Sequence, residues 1–154
     1  MERRKSNLRF ALVALVALGV VGAYAPVVSA EAKQLVVNLT FDKSAVAPGV
    51  WRGSVAGDVT GHLETRLLSA HGDGPVLQVR FLWIILAADK SFTAKATGTL
   101  NTETGAVVMQ GSVVRGFLKD ACFLEQGQLV DPIASRFQGS IKLGVLFNDP
   151  SDSE

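Results

Sequence analysis

An all-β fold is what this sequence predicts: a single antiparallel up-and-down β-barrel of about eight strands, behind an N-terminal signal peptide. Three observations carry that expectation. Apolar residues recur at every second position through most of residues 31–147, clusters of turn formers separate these runs, and glycines recur inside them. Period two places alternate side chains on opposite faces of a strand, so each run has one mostly apolar face and one polar or small face. Glycine weakens a strand, and its repeated use there marks bends and tight curvature, which a small closed barrel needs more than a flat sandwich does. Closure also removes exposed strand edges.

The leader comes first. Met1 to Arg9 carries Arg3, Arg4, Lys5 and Arg9, an apolar stretch runs from Phe10 to Val28, and Val28-Ser29-Ala30 follows. A basic head, an apolar middle and small residues at the exit form a secretory signal peptide, with the cut expected after Ala30. Gly19, Gly22 and Pro26 break the second half of the stretch and argue against a membrane anchor. Lys5-Ser6-Asn7-Leu8 fits the twin-arginine signal poorly, so the general secretory route is expected, with a secreted or cell-envelope destination. The leader also skews the charge. The chain has 15 Lys+Arg and 14 Asp+Glu, of which residues 1–30 hold four and one, leaving 11 and 13 and a net charge of −2. No basic stripe suggests nucleic acid as a partner.

The strands are read in order. Leu35, Val37, Leu39 and Phe41 alternate with Val36, Asn38 and Thr40, and period two continues through Trp51 to Val59 and Leu63 to Leu67. Val76 to Leu86 places Leu77, Val79, Phe81, Trp83 and Ile85 on one face; its other face starts with Gln78 and Arg80 and becomes Leu82, Ile84, Leu86. That second apolar face is expected to be covered, and a homo-oligomer contact through Leu82, Ile84 and Leu86 is one way. Phe92 to Leu100, Val107 to Val114 and Phe137 to Val145 complete the alternating set, with a shorter segment from Ala121 to Val130 broken by Gly127. His71-Gly72-Asp73-Gly74-Pro75, Ala88-Asp89-Lys90 and Asn101 to Gly105 read as hairpin turns, and residues 148–154 as a flexible acidic tail. The organisation expected is therefore leader 1–30, barrel 31–147 and tail 148–154.

Several phrases occur together: Gly49-Val50-Trp51, Val55-Ala56-Gly57-Asp58-Val59-Thr60-Gly61, Ser91-Phe92-Thr93-Ala94, Gly111-Ser112-Val113-Val114-Arg115-Gly116 and Phe137-Gln138-Gly139-Ser140-Ile141. In this combination the chain resembles the allene-oxide-cyclase-like and dirigent-like β-barrels of the calycin group, from roughly Leu35 to Leu146. The resemblance implies an eight-stranded barrel with a hydrophobic cavity. It also implies, as an alternative to simple binding, cyclisation or guided coupling of a small hydrophobic substrate. No catalytic motif matches, so no catalytic residue is carried over.

The residues themselves point to binding rather than to a named reaction. Trp51, Phe81, Trp83, Phe92, Met109, Phe123 and Phe137 fall on apolar faces and would line or fill the barrel, which at eight strands either packs shut or holds one small ligand. The expected partner is a small hydrophobic molecule, with Arg80 or His62 orienting its polar end. His62, Glu64 and Arg66 share one strand face, which reads first as a solvated face. Two histidines without paired spacing are thin grounds for a metal, so no metal or cofactor is expected. Cys122 is the only cysteine, which excludes an intramolecular disulfide, and its apolar neighbours predict a buried, inert thiol. A packed interaction domain without ligand is the third alternative.

Overall fold

A computed structural model describes residues 33–147, which form a closed eight-stranded antiparallel barrel. The expected leader and tail lie outside the described residues. The strands are β1 (Lys33–Ala47), β2 (Val50–Gly57), β3 (Gly61–His71), β4 (Val76–Leu86), β5 (Phe92–Asn101), β6 (Ala106–Gly116), β7 (Cys122–Asp131) and β8 (Arg136–Phe147). Each pairs with the next in sequence, and β1 closes the barrel on β8 from Lys33↔Phe147 to Lys43↔Phe137. Two expectations need correction. Gly127 does not break β7, which runs through it. Cys122 is exposed, because the alternation that turns Phe123 inward turns its neighbour outward.

Side-chain size explains how so narrow a barrel closes around so many rings. The inward positions of β5 are Phe92, Ala94, Ala96 and Gly98, and in register they face Ile85, Trp83, Phe81 and Val79 of β4. Small residues on one strand thus leave room for the large ones beside them. Gly127 and Gly139 pair across β7 and β8, and Phe41 pairs with Gly139 from the other side. A Cβ at Gly139 would overlap the Gln126 carbonyl oxygen and lie 2.8 Å from Phe41 Cε1; one at Gly127 would lie 3.0 Å from Phe41 Cζ. The Phe41 ring therefore rests on backbone that only glycine exposes.

The barrel's two ends differ. At one end Val59, in the β2–β3 turn, and Ala121, before β7, are buried, while Phe117 and Leu118 of the β6–β7 connection pack on the core. Ser91 ties this end together: its hydroxyl bridges the Ala87 N–H and carbonyl, and its own carbonyl accepts from Phe117 N–H. The other end carries the β1–β2, β3–β4, β5–β6 and β7–β8 hairpins. Their turns are set locally. Asn101 Oδ1 accepts the N–H groups of Glu103 and Thr104, and Gly105 follows at φ 75°, while Asp131 Oδ1 does the same for Ile133 and Ala134.

The glycine pair under Phe41 gives a direct test. Gly139→Ala is expected to cost about 1–3 kcal/mol by overpacking. Lys142→Ala, on the outer face of the same strand, should change stability by no more than about 0.5 kcal/mol. Urea denaturation midpoints compare the two; equal values would refute the packing described.

Candidate functional site

The lower part of the interior is filled. Trp83 is fully buried and meets Phe41 edge-on at 5.3 Å and Phe123 at 5.5 Å between ring centroids. Ile85, Leu39, Leu63, Ile141 and Leu143 pack around them towards the plugged end. Above Trp83 the packing stops short, and a cavity of about 110 Å³ remains towards the hairpin-bearing end. Its walls include the buried Phe81, Met109 and Phe137, with Trp51, Leu67, Leu77 and Leu100 half-buried around them. Trp51 stands edge-on to Phe81 and Phe137, at 5.5 and 6.4 Å. Its indole N–H donates to the Ser135 carbonyl at 3.1 Å, which fixes the ring against the β7–β8 connection.

One charged side chain enters this wall. Lys43 continues the β1 alternation of Leu35, Val37, Leu39 and Phe41, so its side chain turns inward and is 5 % exposed. The Nζ lies 3.9 Å from the Trp83 ring centroid, with the Phe41, Phe81 and Phe137 centroids at 5.2, 5.3 and 6.0 Å. Such a cage attracts a cation to the ring faces. The counter-charge is Glu125 on β7, 1 % exposed, whose Oε1 is 3.9 Å from Nζ. That separation is an ion pair but longer than a hydrogen bond. Glu125 Oε1 would be in ordinary contact, at 3.4 Å, with a Cβ on Gly127.

Burial works against both charges. It pulls the Lys43 ammonium down from 10.5 to about 8, although the Glu125 carboxylate opposes this. It pushes the Glu125 carboxyl up from 4.5 to about 7, against the pull of Lys43. Desolvation thus outweighs mutual attraction at both groups. Three buried polar atoms in this region also lack a hydrogen-bond partner: Glu125 Oε2, Trp83 Nε1 and Thr65 Oγ1, the last on the residue paired with Trp83 in the β3–β4 register. Unpaired polar atoms are uncommon in a packed interior and mark a place where structure alone does not explain the residues chosen.

The sequence-predicted site residues divide. Trp51, Phe81, Met109 and Phe137 line the cavity. Trp83 is the ring beneath Lys43, and Phe92 lies in the core towards the plugged end, beside Ile85. Arg80 and His62 are exposed on the outer surface and do not line the cavity, because their inward neighbours are Val79, Phe81 and Leu63. Glu64 is clamped by Arg52 at 2.8 Å and Arg66 at 2.6 Å, and these hydrogen bonds, Arg52 first, hold its carboxyl below the usual range. Leu82 and Ile84 are half-buried and Leu86 is exposed on the outer face of β4. Lys43 and Glu125, the two charged residues that matter most inside, were not among the expected ones. Extending the alternation two residues past Phe41, and through Phe123-Leu124-Glu125, would have found both.

Comparison of the chain with protein-family models, with curated proteins and with solved structures finds no match. The pocket is therefore read from its own residues.

Two measurements check the buried pair. Glu125→Leu alone strands the Lys43 charge and should cost about 3–5 kcal/mol, whereas Lys43→Met with Glu125→Leu should be near neutral or stabilising by about 1–4 kcal/mol. The pH dependence has a defined sign. From pH 4.5 to about 7 the folded chain retains a Glu125 proton that the unfolded chain has lost, so the stability contributed by the pair falls as pH rises. From about 8 to 10.5 the unfolded chain holds a Lys43 proton that the folded chain has released, so that contribution rises again. Relative to the double variant, wild-type stability should pass through a minimum between pH 7 and 8. The stability that Asp42 gains from Arg136, which lowers its pKa from 3.8 to about 2, is lost only as pH falls through that lower range, outside this window. Urea midpoints from pH 5 to 10 decide it; parallel curves for the two proteins would contradict the assignment.

Proposed function

We propose that this barrel binds one small, mainly apolar molecule, taken in at the hairpin-bearing end and held above Lys43. The observation that carries this reading is the cavity itself: about 110 Å³, walled by aromatic and aliphatic side chains, with a single ammonium in its wall. Ligand sites are typically apolar clefts with a few placed polar groups. A cavity of about 150 Å³ in another protein holds benzene. The space here suits a single ring or a short carbon chain, and a longer ligand would extend between Leu77 and Leu100 at the rim. Lys43 would face the ligand's one polar atom. The leader expected in residues 1–30 supports action outside the cytoplasm, where such a barrel meets free small molecules.

A series of straight-chain alcohols from 1-butanol to 1-hexanol, followed by tryptophan fluorescence, tests the reading. Each added methylene should contribute about 0.8 kcal/mol, roughly a fourfold gain in affinity, until the cavity is full. Leu77→Trp, which fills the rim, should abolish saturable binding. A signal that never saturates, or that survives Leu77→Trp unchanged, would overturn the proposal.

A further inference from the structure

Lys43 is placed for chemistry beyond holding a ligand. Its amine forms part of the cavity wall, its nearest carboxylate oxygen is 3.9 Å away, and that carboxylate keeps a second oxygen with no partner. A structural ion pair would be expected to close to hydrogen-bond distance and to satisfy both oxygens. This one does neither, and its ammonium, on a residue that lines the apolar cavity, is ringed by Trp83, Phe41, Phe81 and Phe137. The ligand's polar group must suit that setting. A carboxylic acid would compete with Glu125 for the one Lys43 ammonium, and in a water-poor space two carboxyl groups sharing one cation oppose each other's ionisation. A neutral carbonyl brings no such penalty and presents an electrophilic carbon to the amine.

We infer that Lys43 condenses with a small apolar aldehyde or ketone held in this cavity, forming an imine, with Glu125 carrying the protons. The inference rests on the ligand-binding reading above and names the ligand's reactive group. The uncharged Lys43 amine attacks the carbonyl carbon, forming the C–N bond. The carboxylic acid of Glu125 gives its proton to the carbonyl oxygen and regains one from nitrogen, leaving a neutral carbinolamine. Glu125 then protonates the hydroxyl group, the C–O bond breaks, and water leaves. The product is a protonated imine opposite a Glu125 carboxylate, with no change in oxidation state. The positive charge ends where the ammonium stood, so the four rings and Glu125 stabilise it as they stabilise Lys43 itself. The displacement of both pKa values towards neutrality fits these roles, since an amine must be free to attack and an acid must hold its proton to give.

The test uses the wild-type protein with hexanal and 1-hexanol, which match in chain and differ in the reacting group. Hexanal is added with sodium cyanoborohydride near pH 7.5, and the alkylated lysine is located by peptide mass mapping. Expected is one adduct per chain at Lys43, formed at least about tenfold faster than at the exposed Lys95, Lys119 and Lys142, since more of a low-pKa amine is free at this pH. Excess 1-hexanol should slow labelling of Lys43 alone, and Glu125→Gln should slow that labelling while leaving the rates at Lys95, Lys119 and Lys142 unchanged. Saturable 1-hexanol binding without preferential labelling of Lys43 would overturn the inference and leave the binding reading standing. Absence of both 1-hexanol binding and Lys43 labelling would overturn the two together.

Discussion

A lysine side chain projecting into a closed apolar barrel sets terms that the rest of the interior has to meet. On an open sheet its stem could lie along apolar surface and its ammonium reach water. Lys43 points instead between β1 and the opposite wall, and only 5 % of it is exposed. A charge held away from water needs a partner and a polarisable surround. Glu125 supplies the first and the faces of Trp83, Phe41, Phe81 and Phe137 the second. Those rings in turn need room. Gly127 and Gly139 give up their side chains beneath Phe41, and Ala94 and Ala96 give room to Trp83 and Phe81. The choice of residues along five strands thus follows from one ammonium.

The same arrangement divides the barrel into a solid half and a hollow one. Below Lys43, the aromatic pairs and aliphatic side chains fill the space to the end plugged by Val59, Ala121 and Ser91's hydrogen bonds. Above it, Trp51 is pinned to the Ser135 carbonyl and the walls stay apart. The cavity has Lys43 in its wall, and the Glu125 carboxyl is buried 3.9 Å from that amine, so a chemically unequal pair, both members shifted towards neutrality by burial, lies beside an apolar space. Outside, Arg52–Glu64–Arg66 and Arg136–Asp42–Gln138 tie neighbouring strands at the surface and face solvent. They are scaffold for the barrel wall and take no part in its interior.

Most of the fold was legible because alternation is a strong signal when each strand has one wet face. Val76 to Leu86 was read to the residue, and Asn101 to Gly105 as a turn. Closure followed from glycines whose Cβ would strike the neighbouring strand, as at Gly139. The site was half legible. Trp51, Phe81, Met109 and Phe137 were found by their apolar character, whereas Lys43 and Glu125 were passed over because charge is normally read as surface. Arg80 and His62 were favoured as polar handles for the opposite reason, and simple parity places both outside. Cys122 misled similarly: apolar neighbours suggested burial, but position in the alternation decides which face a residue takes. What sequence could not convey was that Lys43 and Glu125 meet, since 82 positions and five intervening strands separate them and only barrel closure brings them together.

The most direct measurement is an NMR titration of the protein labelled with carbon-13 in its lysines. With Lys43 seated 3.9 Å from the Trp83 ring centroid, its terminal methylene resonances should be shifted strongly upfield by the surrounding rings. They should titrate near pH 8, and the signal should vanish in Lys43→Met. A spectrum in which every lysine keeps unshifted resonances and titrates together near the ordinary value of about 10.4 would place Lys43 in water and remove the floor from the pocket.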